Sequence, residues 1–309
     1  MSEKYQEKNQ KFVERALKIS KKLPIASVYP LNDEALKGAI LAHEMNLVDP
    51  IIIGPKKELE KIAKNINKDL SQYEVIDVLD MKEAAKKAVE LVKENRAKAI
   101  LKGSLDTSIL LKAVLSKDTG IRANRRISNC YICDTPFYKK TLIYTDVGIN
   151  ILPNLKTKVD ILLNAIDVAR SIGIEKPKIA ILSCIEKVNE EIISTMDAKA
   201  LVDMAKEGIF KDVILEGPLS FDIAFSKKIA DDKNFPSKVA GDVDIALFPN
   251  LDASNIAVKQ LELFSKAECG SLALGAKVPV LINSRNTTAK ERALSCVFAK
   301  LYYENIQNK

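Results

Sequence analysis

The sequence predicts an α/β protein, built as two three-layer domains with mainly parallel sheets. Three observations lead there. Short β-branched runs alternate with longer amphipathic stretches almost from end to end, as strands covered by helices require. The alternation breaks once, at two strand-like runs joined only by PFYK, a link short enough for an antiparallel hairpin. A chain of 309 residues, at roughly 150 per domain, also suffices for two domains.

Taken in order, the periodicity predicts strands over 25–29, 50–53, 73–78 and 98–102, each followed by a helix; MKEAAKKAVELVKEN at 81–95 has its apolar residues at helical spacing. RISNCYICDT and KKTLIYTDV then form the hairpin. Beyond it the alternation resumes, with helices over 153–171, 189–206 and 255–267 and strands over 178–184, 212–215 and 245–248. The closing helix, about 288–303, needs a sheet to cover, and the first βα series offers one. The expected boundaries are therefore 1–127 plus about 284–309 for a first domain, with 128–283 inserted as a second. No fixed-period repeat, no linker rich in Gly, Ser or Pro, and no heptad seam interrupts this organisation.

Composition excludes several classes. With 47% hydrophobic and 29% charged residues and only 11 Gly and 11 Pro, the chain is neither disordered nor fibrous. No apolar run approaches the roughly 18 residues of a membrane span, and MSEKYQEKNQKF lacks a signal-peptide core, so the expected location is cytoplasmic, with no membrane partner. The net charge of +7 comes from lysines interspersed with glutamates, as on solvated helix faces, and says little about nucleic acid. The cluster Arg122, Arg125 and Arg126 reads as a solvated connector or a site for an anionic cofactor. No aromatics are interleaved with it to stack bases, so no nucleic acid partner is expected. Five cysteines, an odd number without an export signal, predict reduced thiols. Cys130 and Cys133 lie three apart in a strand, on opposite faces, which suits neither a redox pair nor a zinc site. His43, the only histidine, sits in a helical stretch and reads as a packing or surface residue.

In open α/β sheets ligands bind outside the carboxyl ends of the strands, which narrows the search to the polar residues that follow each apolar run. These exits read LKGSLDTS, TDVGIN, EGPLSFD, FPNLDASN and NSRNTT, each leading into a helix start whose free N–H groups favour anions. Neither a G-x-x-x-x-G-K-[ST] nor a G-x-G-x-x-G is present, which weakens kinase and nicotinamide readings. In NSRNTT, hydroxyls from Ser284, Thr287 and Thr288 surround Arg285, whose guanidinium can grip a phosphate through two parallel bonds. The alternative is that a threonine merely caps the final helix while Arg285 pairs with a surface carboxylate.

The segments LKGSLDTSILLKAVLSKDTGIR, TLIYTDVGINILP, IGIEKPKIAILSCIEKVN, STMDAKAL, EGPLSFDIAFS, VAGDVDIALFPNLDASN and GAKVPVLINSR resemble, in this order, the phosphate acetyl/butyryltransferase family. The butyryltransferase branch is the more similar through GPLSFD, the TD-x-x-x-N stretch and STMDA. The resemblance implies reversible transfer of a short acyl group, butyryl favoured and acetyl the alternative, from coenzyme A to inorganic phosphate. It further implies a cleft between two α/β domains, a homodimer or larger assembly, no metal, and no permanently bound cofactor, coenzyme A thioester being a substrate. Carried to matching positions, it makes Arg285 the holder of phosphate or the developing oxyanion and Ser284 a hydrogen-bond partner of the thioester or thiolate. Glu291, seven residues after Ser284, stands where the acetyl branch has an Asp acting as base toward the coenzyme A thiol. Thr107, Lys112, Asn255, Asp146 and Asn150 are the implied substrate contacts. For Asp146, Asn150, Asn255 and Asp222 a capping or bracing role is the alternative. Lys112 stands where Arg is common, Ser254-Asn255 where Gly-Asn is usual, and Asn129 where His is usual.

The chemistry asked of these residues is consistent with the resemblance. Thioester phosphorolysis needs an anion site, an electrophilic contact to the carbonyl oxygen and a route for a proton to the leaving thiolate. Ser284, Arg285 and Glu291 offer all three, and because phosphate itself attacks, no His or Cys nucleophile is required. The competing readings are a non-catalytic acyl-CoA or anion-binding protein of the same fold and a decarboxylating dehydrogenase. The latter needs acidic metal ligands and a nicotinamide site that the sequence does not assemble.

Overall fold

A computed structural model describes residues 6–307. In chain order the elements are α1 (Glu7–Leu17), β1 (Leu23–Val28), α2 (Asp33–Glu44), β2 (Val48–Gly54), α3 (Lys56–Asn65), β3 (Glu74–Asp77), α4 (Met81–Lys93), β4 (Ala99–Lys102) and α5 (Thr107–Val114). There follow β5 (Ser128–Asp134), β6 (Leu142–Thr145), α6 (Leu155–Ser171), β7 (Lys178–Leu182), α7 (Ile193–Lys206), β8 (Ile214–Leu219), α8 (Phe221–Phe225) and α9 (Lys227–Asp232). The chain ends with β9 (Ile245–Leu247), α10 (Leu251–Phe264), β10 (Glu268–Leu274), β11 (Val280–Leu281) and α11 (Ala289–Gln307).

Local chemistry marks many of the helix ends. Asn32, Asp80, Asn154 and Asn250 each accept a backbone N–H of the first turn that would otherwise have no partner. At the other ends, Asn46, Asn67 and Asn95 take the left-handed conformation after α2, α3 and α4, where asparagine is tolerated, and glycines 173 and 208 do the same after α6 and α7. His43, near the end of α2, packs edge-on against Tyr73 at 5.0 Å and is bonded through Nδ1 to Val48 O.

The chain divides into two compact units, residues 9–125 with 269–307, and residues 6–8 with 126–268. In the first, the strand order is β3-β2-β1-β4-β11-β10, parallel from β3 to β11, with β10 antiparallel to β11. In the second it is β5-β6-β9-β7-β8, with β5 and β6 antiparallel, as the PFYK link requires, and the others parallel. Residues 269–283, assigned from sequence to the inserted domain, lie with the first unit. The physical reason is pairing: β11 is only two residues long but hydrogen-bonds alongside β4, and β10 pairs with β11. So short a strand carries no periodicity of its own.

The cysteines also correct an expectation. Cys130, Cys184 and Cys296 are free, but Cys133 is in a disulfide, as is Cys269. An odd count leaves one thiol over without preventing others from bonding. The strand alternation does separate Cys130 from Cys133, and burial pushes the Cys130 thiol up to about 12, which leaves it inert at neutral pH.

Around the edge of the first unit's sheet, Leu36 and Ile40 of α2 pack with Ile52 of β2, Leu59 and Ala63 of α3, and Leu70 and Tyr73. The long closing helix α11 lies against α2, and the approach is tight at Gly38. A Cβ there would stand 2.7 Å from Arg292 Cβ and 3.3 Å from Ala289 O. Gly38→Ala should therefore destabilise the protein by about 1–3 kcal/mol through overpacking, although alanine in a helix interior is ordinarily favoured by about 1 kcal/mol. Urea denaturation measures this; a stabilised variant would show that α2 and α11 are free to part.

Candidate active site

The adjacency of β4 and β11 places two of the strand exits side by side. Val280 faces Ile100 and Leu281 faces Leu101 in a parallel pair, so residues 103–106 and 282–288 leave the sheet at the same end, each entering a helix, α5 or α11. Asp106 occupies the N-cap position of α5 and Thr107 begins that helix. Arg285 Nη2 forms an ion pair with Asp106 Oδ1 across the two exits, both side chains being largely exposed, at 70% and 56%. Ser284 is half-buried beside it.

Beneath these residues lie two buried cations. Arg292, 0% exposed, donates from Nη1 to Lys102 O at 3.1 Å, from Nη2 to Ser284 O at 2.9 Å, and from Nε to Thr287 O at 3.1 Å. One guanidinium thus holds the last carbonyl of β4 and two carbonyls of the loop after β11. Lys102, 3% exposed, donates from Nζ to Leu105 O at 3.0 Å and to Gly103 O at 3.3 Å. Burial, then Arg292 and Arg285, pull its ammonium down to about 8, with Asp106 opposing.

The sequence-derived residues divide accordingly. Thr107, Ser284, Arg285 and Glu291 all fall at the β4 and β11 exits. Glu291 serves as a cap there: its Oε2 accepts Thr288 N at 3.0 Å and Thr288 Oγ1 at 2.8 Å, while Glu291 N donates to Thr288 Oγ1 at 3.3 Å, a reciprocal capping box at the start of α11. Lys112 is set further along α5, where it lines a groove of about 360 Å³ with Lys82, Glu83 and Lys86 of α4.

In the second unit, Asp146 and Asn150 are buried and bonded to one another. The Asp146 carboxylate accepts Asn129 N at 2.7 Å, Asn150 N at 2.8 Å and Asn150 Nδ2 at 2.6 Å. Asn150 also donates to Ile127 O and accepts from Arg126 Nε, and Asn129 Nδ2 donates to Val147 O. This network braces the end of the β5–β6 hairpin. Asn255 is exposed on α10, one residue beyond the buried Ser254, whose hydroxyl donates to Leu251 O at 3.0 Å. Two of the quoted motifs resolve into ion pairs: Asp197 of STMDA meets the buried Lys158 at 2.6 Å, and Asp222 of GPLSFD meets Lys233 at 3.0 Å.

Burial pushes the Asp146 carboxyl up to about 6, against the hydrogen bonds from Asn129 and Asn150. Because the folded state then holds this proton more tightly than the unfolded chain, the group's contribution to stability is complete below pH 4 and is lost as pH rises through about 6. Asp146→Asn turns one acceptor into a donor facing N–H groups and should cost about 2 kcal/mol. The deficit against wild type should widen on acidification from pH 6 to 4; urea titrations at both pH values check the size and the sign.

Lys102 and Arg292 were not singled out by the sequence reading. The available signals were a lysine closing the apolar run of KAILKG, and an arginine directly before the mostly apolar run ALSCVFA of α11.

Comparison with known proteins places these residues in context. The family described as phosphate acetyl/butaryl transferase matches residues 80–299. A phosphate acetyltransferase of Rickettsia felis is 41% identical over 290 residues, spanning 94% of this chain and 83% of that protein. A phosphate butyryltransferase of Clostridium beijerinckii is 37% identical over 268 residues, 87% of this chain and 88% of that one. The crystal structure of a branched-chain phosphotransacylase from Enterococcus faecalis V583 superposes with a TM-score of 0.78 at 28% identity, covering 91% of this chain and 99% of that one. With the family pattern running through both exits, from the α4 region into α11, and relatives above one third identity over most of their length, the chain belongs to the phosphate acetyl/butyryl transferase family.

Proposed function

We propose that this protein transfers a short acyl group reversibly between coenzyme A and inorganic phosphate, with butyryl the favoured group and acetyl the alternative. The observation that carries this reading is the pair of exits after β4 and β11, which gathers Arg285, Lys102 and Arg292 around Ser284. Such a cluster suits a dianionic reactant, and the start of α5 beside it, which no side chain caps, adds further N–H donors.

In the phosphate-consuming direction a phosphate oxygen attacks the thioester carbonyl carbon, the C–S bond breaks, and the proton of the hydrogen phosphate ends on the departing thiolate. Arg285, freed from Asp106, holds the phosphate or the developing oxyanion, and the Ser284 hydroxyl bonds the thioester sulfur or carbonyl. Binding both reactants in one geometry provides the orientation advantage. In reverse, Glu291 is the carboxylate available within one turn of α11 to take the thiol proton. Thr107 and the Lys112 groove provide polar and cationic contacts for the coenzyme A chain and its phosphates. Asp146 and Asn150 act through the shape of the hairpin end that they brace.

The activity test is thiol release from acetyl-, propionyl- and butyryl-CoA with and without phosphate. Phosphate-dependent release, fastest with butyryl-CoA, is expected without added divalent metal. Equal release without phosphate would make the protein a thioesterase, and binding without turnover would favour a non-catalytic acyl-CoA-binding protein.

Arg285→Ala should reduce turnover about a hundredfold, the loss of roughly 3 kcal/mol of transition-state stabilisation, by removing charge-assisted bonds that strengthen as charge develops. Its exposed pair with Asp106 should contribute at most about 1 kcal/mol to stability, so the melting temperature should barely move. Arg285→Lys should recover part of the phosphate affinity but not the two-pronged grip. Wild-type kinetics in the alanine variant would remove Arg285 from the site.

A further inference from the structure

We propose that Lys102 is a second anion-binding residue of the acyl-transfer site, its fixed ammonium meeting the reacting phosphate, or the phosphoryl group of the acyl phosphate, at the paired exits of β4 and β11. This rests on the reading of the exits as the reacting centre. The argument begins with cost. A buried charge needs compensation, and a buried lysine ordinarily finds a carboxylate. Among the described residues none forms an ion pair with Lys102; its ammonium has two carbonyl acceptors, those of Gly103 and Leu105, for its three N–H donors. One donor remains.

The charged groups facing it make the imbalance worse. Arg292 comes from α11 and Arg285 from the loop after β11, both cationic; Asp106 at the start of α5 is the single opposing carboxylate, and its Oδ1 is engaged by Arg285. Lys102 is thus faced by two cations and by one carboxylate that is exposed and already engaged. A ligand carrying two negative charges resolves this, and a phosphate dianion has the oxygens to accept from Arg285 and Lys102 together. The depressed affinity of Lys102 for its proton agrees, since a nearby anion would restore it.

The experiment compares wild type with Lys102→Met, which removes charge and donors, and Lys102→Gln, which keeps a donor. Inorganic phosphate is titrated calorimetrically without acyl-CoA, and KM for phosphate and for acyl-CoA is measured separately. The expected result is at least a tenfold rise in the phosphate KM and a matching loss of phosphate affinity in both variants, with the acyl-CoA KM within about twofold of wild type. In wild type, phosphate affinity should fall as pH rises from 7.5 to 9, through about 8, even though the dianionic fraction of phosphate itself rises over that range. Both variants should lack that fall.

Stability supplies a readout that separates the roles. Because the folded state holds the Lys102 proton less tightly than the unfolded chain, wild-type stability should rise between about pH 8 and 10, and Lys102→Met should abolish the rise. Unchanged phosphate affinity in either variant, or loss of melting temperature alone, would overturn the proposal. Should both variants fail to fold, a wild-type phosphate affinity flat across pH 7.5–9 overturns it equally. If wild type binds phosphate in the Lys102-dependent manner but turns over no acyl-CoA, the functional reading fails and the anion site stands. Turnover with an unchanged phosphate KM in the variants gives the reverse.

Discussion

The exits of β4 and β11 are held in place by the guanidinium of Arg292. Its nitrogens reach the carbonyls of Lys102, Ser284 and Thr287, which belong to segments almost two hundred residues apart in the chain. The bonds are directional and the guanidinium is fully buried; loss of the side chain would leave the buried Lys102 carbonyl without this partner, at about 1–3 kcal/mol. Gly38 admits the arginine stem, since any side chain there would collide with it. The tight packing of α2 on α11 and the geometry of the two exits are therefore one constraint. Capping does the rest at this end of the fold: the Thr288–Glu291 box fixes where α11 begins, and hence how far the loop carrying Ser284 and Arg285 can extend.

A positive charge fixed by backbone carbonyls does different work from one on a flexible surface. The three bonds from Arg292 cannot reorganise without unpairing strand-end carbonyls, so its field at the exits is present before any ligand arrives, and such preorganised charge is what stabilises developing negative charge most effectively. The same reasoning separates the two units. In the second, the buried carboxylate of Asp146 is met by N–H donors from Asn129 and Asn150. Its role is to hold a hairpin end, whereas in the first unit Lys102 keeps an N–H donor beyond its two carbonyl acceptors.

Much of this was legible in the sequence because it depends on local chemistry. Alternating strands and amphipathic helices, the PFYK hairpin and the N-capping Asn and Asp residues all leave marks at short range, as do the exits themselves. What escaped depends on partners distant along the chain. β11 is two residues long and becomes a strand only because β4 lies beside it. The bonded state of Cys133 and Cys269 cannot be read from a count of cysteines. Glu291 matches a family position for a base, and the S/T-x-x-E spacing of TTAKE marks it equally as a cap. Lys102 carries charge at the end of an apolar run, and Arg292, last of the charged run KER, is fully buried. Such breaks in pattern are where a sequence stops describing packing, and their significance emerges only when the facing groups are known.

The charges at the exits differ in how firmly they are held, and that difference bears on how an anion could enter and leave. Arg285 is exposed and its bond to Asp106 is an exchange-ready surface pair, worth at most about 1 kcal/mol in water. A dianion offering two oxygens can take the place of that single carboxylate oxygen at little cost. Lys102 and Arg292 cannot follow the anion outward, because both are tied to carbonyls of the strand ends. On the proposed reading, binding is then an exchange of partners by Arg285 over an immobile cationic floor, and release is the return of Asp106. A site built entirely of fixed cations would hold its product too long, and one built entirely of mobile ones would lose orientation. The arrangement of Arg285 above Lys102 and Arg292 meets both demands with residues from two neighbouring strand exits.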